Sequence, residues 1–271
     1  MTPPIANARM YAVTPSVEAI WQTLLGHIAA DAEVALEYVA YPAPQPLDDL
    51  WRRPGLGCVF MCGYPIALRL APVVPIAAPR LAMPWAEGRA VYRSGLIVRA
   101  DAPYTTLPDT FGRRAAWTVR HSHSGFNAFR HHLLRYRDAH SGPLYQTMLQ
   151  DTVTARAILE AVRSGQIDVG PLDAYWHWLI ATHAPELVRG IRVIESTDLA
   201  PAPAFVASEH LDPGAVERLK AAFEAADTRP WFAACARPLG LVGFTAVTAA
   251  DFDRTLQWDR AAHAAGYPEP A

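Results

Sequence analysis

Residues 117–130 read Trp-Thr-Val-Arg-His-Ser-His-Ser-Gly-Phe-Asn-Ala-Phe-Arg, and they predict a strand, a polar turn and a helix in direct succession. The hydroxyls of Ser122 and Ser124 would lie where the first N–H groups of that helix point outward. A helix N-terminus carries partial positive charge, so such a turn is suited to holding an anion. Gly125 would let a ligand approach the backbone closely, and His123 could donate to an anion, which would favour its protonated form. The alternative is a plain helix cap, in which Ser124 satisfies the first turn and nothing binds.

Outward from this stretch, short apolar segments alternate with helical patterns along the whole chain. Residues 8–13 predict a first strand that contains Tyr11, and Thr14 then starts a helix whose apolar residues keep helical spacing. A strong strand is predicted over 92–100. The alternation predicts an α/β fold with mainly parallel sheets.

Two further groups of residues are candidates for a binding site. Asp173 lies between a predicted short strand and a predicted helix, at the kind of strand end where open α/β folds bind ligands. It could accept a hydrogen bond from a ligand, or it could only cap the helix. Tyr64 follows a strand predicted over 57–61, and Tyr11 and Tyr92 lie in predicted strands; each could line a pocket or be an ordinary core residue.

Composition argues against several classes of partner. The chain has 271 residues, of which 51% are hydrophobic and 18% are charged, and its formal net charge is −2. This length fits two lobes or one large α/β unit. The lack of a basic field argues against nucleic acid and against an anionic membrane surface as partners. No run of about 18 apolar residues occurs, so no membrane span is predicted.

The cysteines and histidines do not predict a metal site. Cys58, Cys62 and Cys235 are an odd number, which argues against a disulfide framework and favours buried, inert thiols. Histidines lie at positions 121, 123, 131 and 132, but no Asp, Glu or Cys accompanies them at ligand spacing. We expect neither a metal nor another cofactor. The sequence also lacks a nucleophile elbow, a phosphate loop and a Gly-rich dinucleotide turn.

Short segments along nearly the whole chain resemble, in order, the phosphate/phosphonate-type substrate-binding proteins of ABC transporters. The segments are Met10-Tyr11, Leu50-Trp51-Arg52, 62–65, 92–101, 112–116, 122–130, 161–165, 168–174, 239–244 and 248–253. Each segment alone is a weak match, but the ordered set is specific.

The resemblance implies a two-lobed periplasmic-binding-protein type 2 fold that closes on its ligand like a hinge. Each lobe would be a mainly parallel sheet flanked by helices, and two hinge strands near 94–99 and 191–197 would cross between the lobes. Lobe 1 would comprise 1–96 and 197–271, and lobe 2 would comprise 97–196.

The resemblance also implies a function without catalysis. The protein would be the solute-binding component of an ABC-type uptake system, binding a small anionic or polar metabolite, phosphonate- or phosphate-like, in the inter-lobe cleft and serving an ABC permease. The ligand-binding residues would be Tyr11, Tyr64, Tyr92, Ser122, His123, Ser124, Gly125 and Asp173. The tyrosines would close from lobe 1 onto the anion site of lobe 2.

Departures from the family pattern leave alternatives open. Thr118-Val119-Arg120 stands where the family has an Asn-Asp-Pro-like approach, and His123 separates the two serines, so we expect a changed pocket. The family implies a periplasmic location if a signal segment was removed, whereas the sequence as it stands shows no secretory signal and indicates the cytoplasm. A metabolite-converting enzyme or a ligand sensor on the same fold is the alternative function.

Overall fold

The computed structural model describes residues 2–137 and 142–271. The chain forms two compact units: Met1–Val91 with Pro201–Asp253, and Tyr92–Ala200 with Arg254–Ala271. The chain passes between these units within two short strands and once more at the start of the last helix.

These units differ from the predicted division at the two crossings, where 92–96 and 197–200 lie in the second unit, and most of all at the end of the chain, because the predicted division assigned all of 197–271 to the first lobe. Residues 254–271 pack with the second unit instead. Tyr267 belongs to the core cluster of that unit, and the Leu144 N–H donates to the carbonyl of Ala271 at 2.9 Å. These contacts join distant parts of the chain, so local sequence patterns do not reveal them.

Nine α-helices form within the described residues. They are α1 (Pro15–Asp31), α2 (Leu47–Trp51), α3 (Gly63–Ala67), α4 (Ala128–Arg137), α5 (Ala155–Arg163), α6 (Ala174–His183), α7 (Pro213–Glu224), α8 (Phe232–Leu239) and α9 (Asp253–Ala264). The predicted first helix is confirmed: the Thr14 side chain accepts the Val17 N–H at 3.2 Å, and Trp21 and Ile28 lie on its buried face. In the described part of the chain, no helix has the length and apolar character needed to cross a membrane.

Thirteen strands form in the same described residues. They are β1 (Ile5–Asn7), β2 (Glu37–Tyr38), β3 (Leu56–Met61), β4 (Val73–Leu81), β5 (Val91–Tyr92), β6 (Ser94–Arg99), β7 (Arg114–Ala116), β8 (Thr147–Leu149), β9 (Gly170–Asp173), β10 (Ile191–Ser196), β11 (Ala200–Pro201), β12 (Ala204–Ser208) and β13 (Leu241–Ala246). The strand predicted over 92–100 is thus divided between β5 and β6. The predicted hinge strands correspond to β6 and β10, which both belong to the second unit.

The sheets are mixed, so the prediction of mainly parallel sheets is wrong. In the first unit the strand order is β13-β4-β12-β3-β1-β2. β1 is parallel to β2 and β3, but β12 is antiparallel to β3 and β4, and β13 is antiparallel to β4. In the second unit β6 pairs antiparallel with β10 and β9, while β7 and β8 are parallel. Because β12 enters between β3 and β4 from far along the chain, the local alternation of strands and helices does not determine its direction.

The strand predicted over 8–13 does not form; the first strand, β1, lies before it at Ile5–Asn7. The Asn7 Oδ1 accepts the Arg9 N–H at 2.9 Å, and the N–H groups of Tyr11 and Ala12 both donate to the Ala8 carbonyl. A short Asn side chain that bonds its own backbone competes with strand pairing and favours a turn. Tyr11 therefore lies in a turn and not in a strand.

Each unit has an apolar core. In the first unit Trp21, Phe60 and Phe205 form an aromatic cluster in which the rings of Phe60 and Phe205 stack 3.8 Å apart. In the second unit Phe129 and Leu133 of α4 are fully buried in the same cluster as residues of β6 and β7. This packing fixes α4, and with it the polar turn that precedes α4.

Candidate functional site

The predicted turn and helix around Ser122 form, but Ser122 is the cap and not Ser124. The Ser122 Oγ accepts the Gly125 N–H at 3.0 Å, and the Ser122 carbonyl accepts the Asn127 N–H at 3.0 Å. A π-helical turn, His123–Asn127, follows and leads directly into α4. π-Turns within helices occur often at functional sites. Because the Ser122 oxygen accepts the capping bond, its hydroxyl proton is available to another acceptor.

Ser124 lies on the partly exposed side of this turn, and Ser94 holds its backbone in place. The Ser94 Oγ donates to the Ser124 carbonyl at 2.9 Å. Ser94 begins β6 and stands opposite Asp173 of β9. Ser94 thus ties together two of the predicted groups, and it was not among the candidate residues. The only sequence signal for it is a small polar residue directly before an apolar strand.

Gly125 is required by its neighbour Thr118. A Cβ on Gly125 would lie 2.8 Å from Thr118 Cγ2 and closer still to Thr118 Oγ1. The Thr118 N–H also donates to the Gly125 carbonyl at 3.2 Å. The contact with Thr118 accounts for a glycine at this position, while close approach of a ligand to Gly125 stays a prediction.

His123 is buried in an aromatic stack and is neutral. Its ring stacks on Trp258 at 5.2 Å and lies 5.9 Å from the ring of Tyr92. Burial, with a smaller contribution from His131, lowers the pKa of His123 to about 3. Burial penalises the charged form, so the ring is neutral in this structure, while a protonated His123 beside a bound anion stays a prediction.

Asp173 caps a helix, which is one of the two roles that the sequence predicts for it. Its carboxylate accepts the N–H groups of Tyr175 and Trp176 at 2.8 and 3.0 Å, at the start of α6. The side chain is 8% exposed. The capping role accounts for the position of the carboxylate, while a ligand contact stays a prediction.

The three candidate tyrosines are buried, at 5% exposure or less. Tyr11 and Tyr64 belong to the first unit, where the ring of Tyr11 packs edge-on against Phe60 at 5.1 Å. Tyr92 belongs to the second unit, beside His123. Their proposed contacts with a ligand stay predictions.

Three buried polar atoms of the 117–125 turn have no hydrogen-bond partner among the described residues. They are Trp117 Nε1, Thr118 Oγ1 and His123 Nε2. Buried polar atoms in folded proteins are nearly always bonded to protein or to an ordered molecule. Three such atoms lie within seven consecutive residues, which makes this turn a candidate for contact with a polar ligand or water. Sequence patterns do not reveal this signal, since it depends on the environment of each atom.

The cysteines are buried and unpaired, as predicted. Burial raises the pKa of the Cys58 and Cys235 thiols, which makes a reactive thiolate less accessible at neutral pH. Within 2–137 and 142–271, no three His, Cys, Asp or Glu side chains are grouped so as to hold a metal ion.

A family model described as the periplasmic substrate-binding protein of a phosphonate ABC transporter matches residues 15–252. The chain belongs to this family. Its members are substrate-binding proteins, so the protein is a solute-binding protein. A search of curated proteins finds no match.

Solved structures show the same fold. A binding-protein component of an ABC phosphonate transporter from Pseudomonas aeruginosa has a TM-score of 0.78 at 16% identity, covering 95% of this chain and 86% of that one. PhnD1 from Prochlorococcus marinus, in complex with methylphosphonate, has a TM-score of 0.77 at 14% identity, covering 96% and 98%. A Xanthomonas citri protein bound to ATP has a TM-score of 0.68 at 17% identity, covering 97% of each chain. The fold of this phosphonate-binding family member is that of the type 2 periplasmic binding proteins.

Proposed function

We propose that this family member binds a small anionic metabolite of the phosphonate or phosphate type at the turn 117–125. The observation that carries the proposal is the group of three buried polar atoms without protein partners at that turn. Family membership supports it, since a relative of the same fold is solved with methylphosphonate.

The chemistry of the turn suits an oxyanion. Trp117 Nε1 can only donate, and the hydroxyls of Thr118 and Ser122 can donate as well. Ser124 adds a hydroxyl from the partly exposed side of the turn. Neutral donors can stabilise an anion without a counter-charge beside it, and the turn leads into α4, whose N-terminus adds partial positive charge.

The site is tested by calorimetric titration of the purified protein with methylphosphonate, inorganic phosphate and methanesulfonate. Ser124→Ala is the sharpest variant, because Ser122→Ala would also remove the helix cap, whereas the Ser124 side chain has no capping role. Losing one hydrogen bond to a charged group costs about 1.5–3 kcal/mol, so the dissociation constant should rise about tenfold or more.

The matched control is Ser164→Ala, which removes one hydroxyl from the same unit at the end of α5, where it donates to the Ala161 carbonyl. It should bind as the unmodified protein does. Tight binding of an anion that Ser124→Ala leaves unchanged would place the site elsewhere. Failure of all three anions to bind would contradict the ligand class.

The protein's partner and location follow from the same proposal. It delivers its ligand unaltered to an ABC permease from the extracytoplasmic side, and no chemical conversion takes place. Phosphorus NMR of ligand recovered after long incubation tests the absence of catalysis, with any new resonance supporting an enzyme. Fractionation of cells that express the native gene tests the location, and co-purification with a permease tests the partner.

A further inference from the structure

A line of buried side chains connects the last helix of the chain to His123. Asp259 of α9 forms an ion pair with Arg130 of α4. The Arg130 Nη2 donates to Asn127 Oδ1 at 2.8 Å, and the Asn127 Nδ2 lies 3.3 Å from His123 Nδ1. His123, Asn127 and Arg130 are each at most 1% exposed, and the whole line lies within the second unit.

Two neighbours fix which way the Asn127 amide points. A guanidinium has only donors, so the group of Asn127 that faces Arg130 must be its oxygen. On the other side of the amide, the Thr255 carbonyl can only accept, and it lies 2.8 Å from Asn127 Nδ2. Both contacts require the same orientation, with the NH2 group turned toward Thr255 and His123.

This orientation determines the tautomer of His123. Since Asn127 presents an N–H to His123 Nδ1, that nitrogen must accept, and the single proton of the neutral ring must sit on Nε2. The low pKa of His123 agrees with a neutral ring. The stack on Trp258 holds the ring plane, so the two nitrogens do not readily exchange places.

The Nε2–H group is then a buried donor without an acceptor. His123 Nε2 has no hydrogen-bond partner in the described residues. A buried N–H without an acceptor is unfavourable, so the atom favours a bound molecule that supplies one. The protein encloses this nitrogen, so such a molecule reaches it when the surrounding side chains move.

We propose that Asp259, Arg130 and Asn127 are positioning residues that hold His123 as its Nε2–H tautomer. The turn thereby offers its ligand an uncharged donor and selects an unprotonated oxygen at that place. The role of His123 as a donor to the ligand rests on the proposed function. The positioning of His123 as the Nε2–H tautomer does not.

The tautomer is measured directly by long-range proton–nitrogen NMR on protein with 15N-labelled histidine, with His123→Asn identifying the signals. We expect a pyridine-type shift for Nδ1 and a pyrrole-type shift for Nε2. In Asn127→Asp the neighbouring group can only accept, so the proton should move to Nδ1 and the pattern should reverse.

Asn127→Asp could fail to fold, because its carboxylate would face the Thr255 carbonyl and two acceptors repel each other. A second variant therefore tests the same role. Asp259→Asn keeps the size of the side chain but removes the ion pair, and Arg130 is then held by the Pro268 carbonyl and Asn127 alone. The weaker hold on Arg130 should make a minor population of the Nδ1–H tautomer detectable. Glu269→Gln is the matched control: it removes a different ion pair of the same C-terminal segment, with Arg120, and should leave the spectrum unchanged. A proton on Nδ1 in the unmodified protein, or an unchanged pattern in every folded variant, would overturn the positioning role.

The donor role of His123 is tested by adding methylphosphonate to the labelled protein. The Nε2–H proton resonance should move downfield, and Asn127→Asp, in which the proton sits on Nδ1, should bind the ligand about tenfold more weakly, a loss comparable to one hydrogen bond. Binding without movement of that resonance would overturn the donor role of His123 and leave the proposed function intact. If methylphosphonate does not bind at all, both the proposed ligand and the donor role of His123 toward it are overturned. The spectra recorded without ligand then decide whether Asp259, Arg130 and Asn127 position His123.

Discussion

Thr118 and Gly125 show how one residue dictates the identity of another across a turn. Thr118 occupies the space that any Cβ at position 125 would need, and it donates its N–H to the carbonyl of the same glycine. The glycine therefore meets a packing requirement, while the buried Thr118 hydroxyl has no hydrogen-bond partner among the described residues.

Gly125→Ala should destabilise the protein by about 1–3 kcal/mol, since forcing a methyl group into a filled space costs about that much. Urea denaturation measures the loss. Gly26→Ala is the control, because Gly26 lies in α1 with no atom within 4 Å of its added Cβ; that change should be neutral or stabilise by up to about 1 kcal/mol. Adding Thr118→Ala should recover part of the loss at position 125, and purely additive effects would contradict the clash.

His123 should make stability fall in acid. The unfolded chain binds a proton at histidine near pH 6.5, whereas the folded protein excludes it until the pH approaches about 3. Stability is therefore highest above pH 6.5 and should fall as the pH drops from there toward 3, by about 1.4 kcal/mol per pH unit for this group.

Denaturation midpoints of the unmodified protein and of His123→Asn at pH 8, 6 and 5 measure this slope. The variant should show a shallower decline, and the difference between the two proteins should be constant above pH 7. Parallel decline of both proteins from pH 6.5 downward would contradict a neutral, buried His123.

At the scale of single elements, Asp173 at the start of α6 has two possible roles, helix capping and ligand contact, which two substitutions distinguish. Asp173→Ala removes the acceptor for two N–H groups and should cost about 1–2 kcal/mol of stability. Asp173→Asn keeps a capping oxygen but loses the charge. If Asp173 only caps, the Asn variant should bind methylphosphonate as the unmodified protein does; calorimetric titration at matched folding would reveal a ligand role as weakened binding.

The sequence predicts elements well where the determining contacts are local. Thr14 and the spacing of apolar residues are enough for α1, and Ser122 to Asn127 are enough for a turn into a helix. Prediction fails where partners lie far apart in the chain. The direction of β12 depends on β3 and β4, and the pairing of the last residues with Leu144 spans much of the chain.

In the candidate site, too, features set by local contacts are predictable from the sequence and features set by distant residues are not. The polar turn is visible in the sequence, but the neutrality of His123 and the reason for Gly125 depend on Trp258 and Thr118. Asn127 and Arg130 sit three residues apart on an otherwise apolar helix face, which is the one local hint of their role. Their partners on α9 are known only from the fold.

At the scale of the whole molecule, ligand binding should raise global stability. A ligand that binds only the folded protein adds about 2.7 kcal/mol when its concentration is 100 times the dissociation constant. The melting temperature should therefore rise by several degrees and continue to rise with the logarithm of ligand concentration. Scanning calorimetry over a series of methylphosphonate concentrations measures this; Ser124→Ala should need more ligand for the same rise, and a shift independent of concentration would contradict specific binding.

The π-helical turn has a consequence for how this gene can change. The Asn127 and Ala128 N–H groups bond to carbonyls five residues back, so the turn holds one residue more than an α-helical path would. Loss of a single codon in this stretch would restore α-helical pairing while the buried side of α4, with Phe129 and Leu133, keeps its orientation. A single-residue deletion or insertion is therefore the change of chain length that this stretch accommodates most readily.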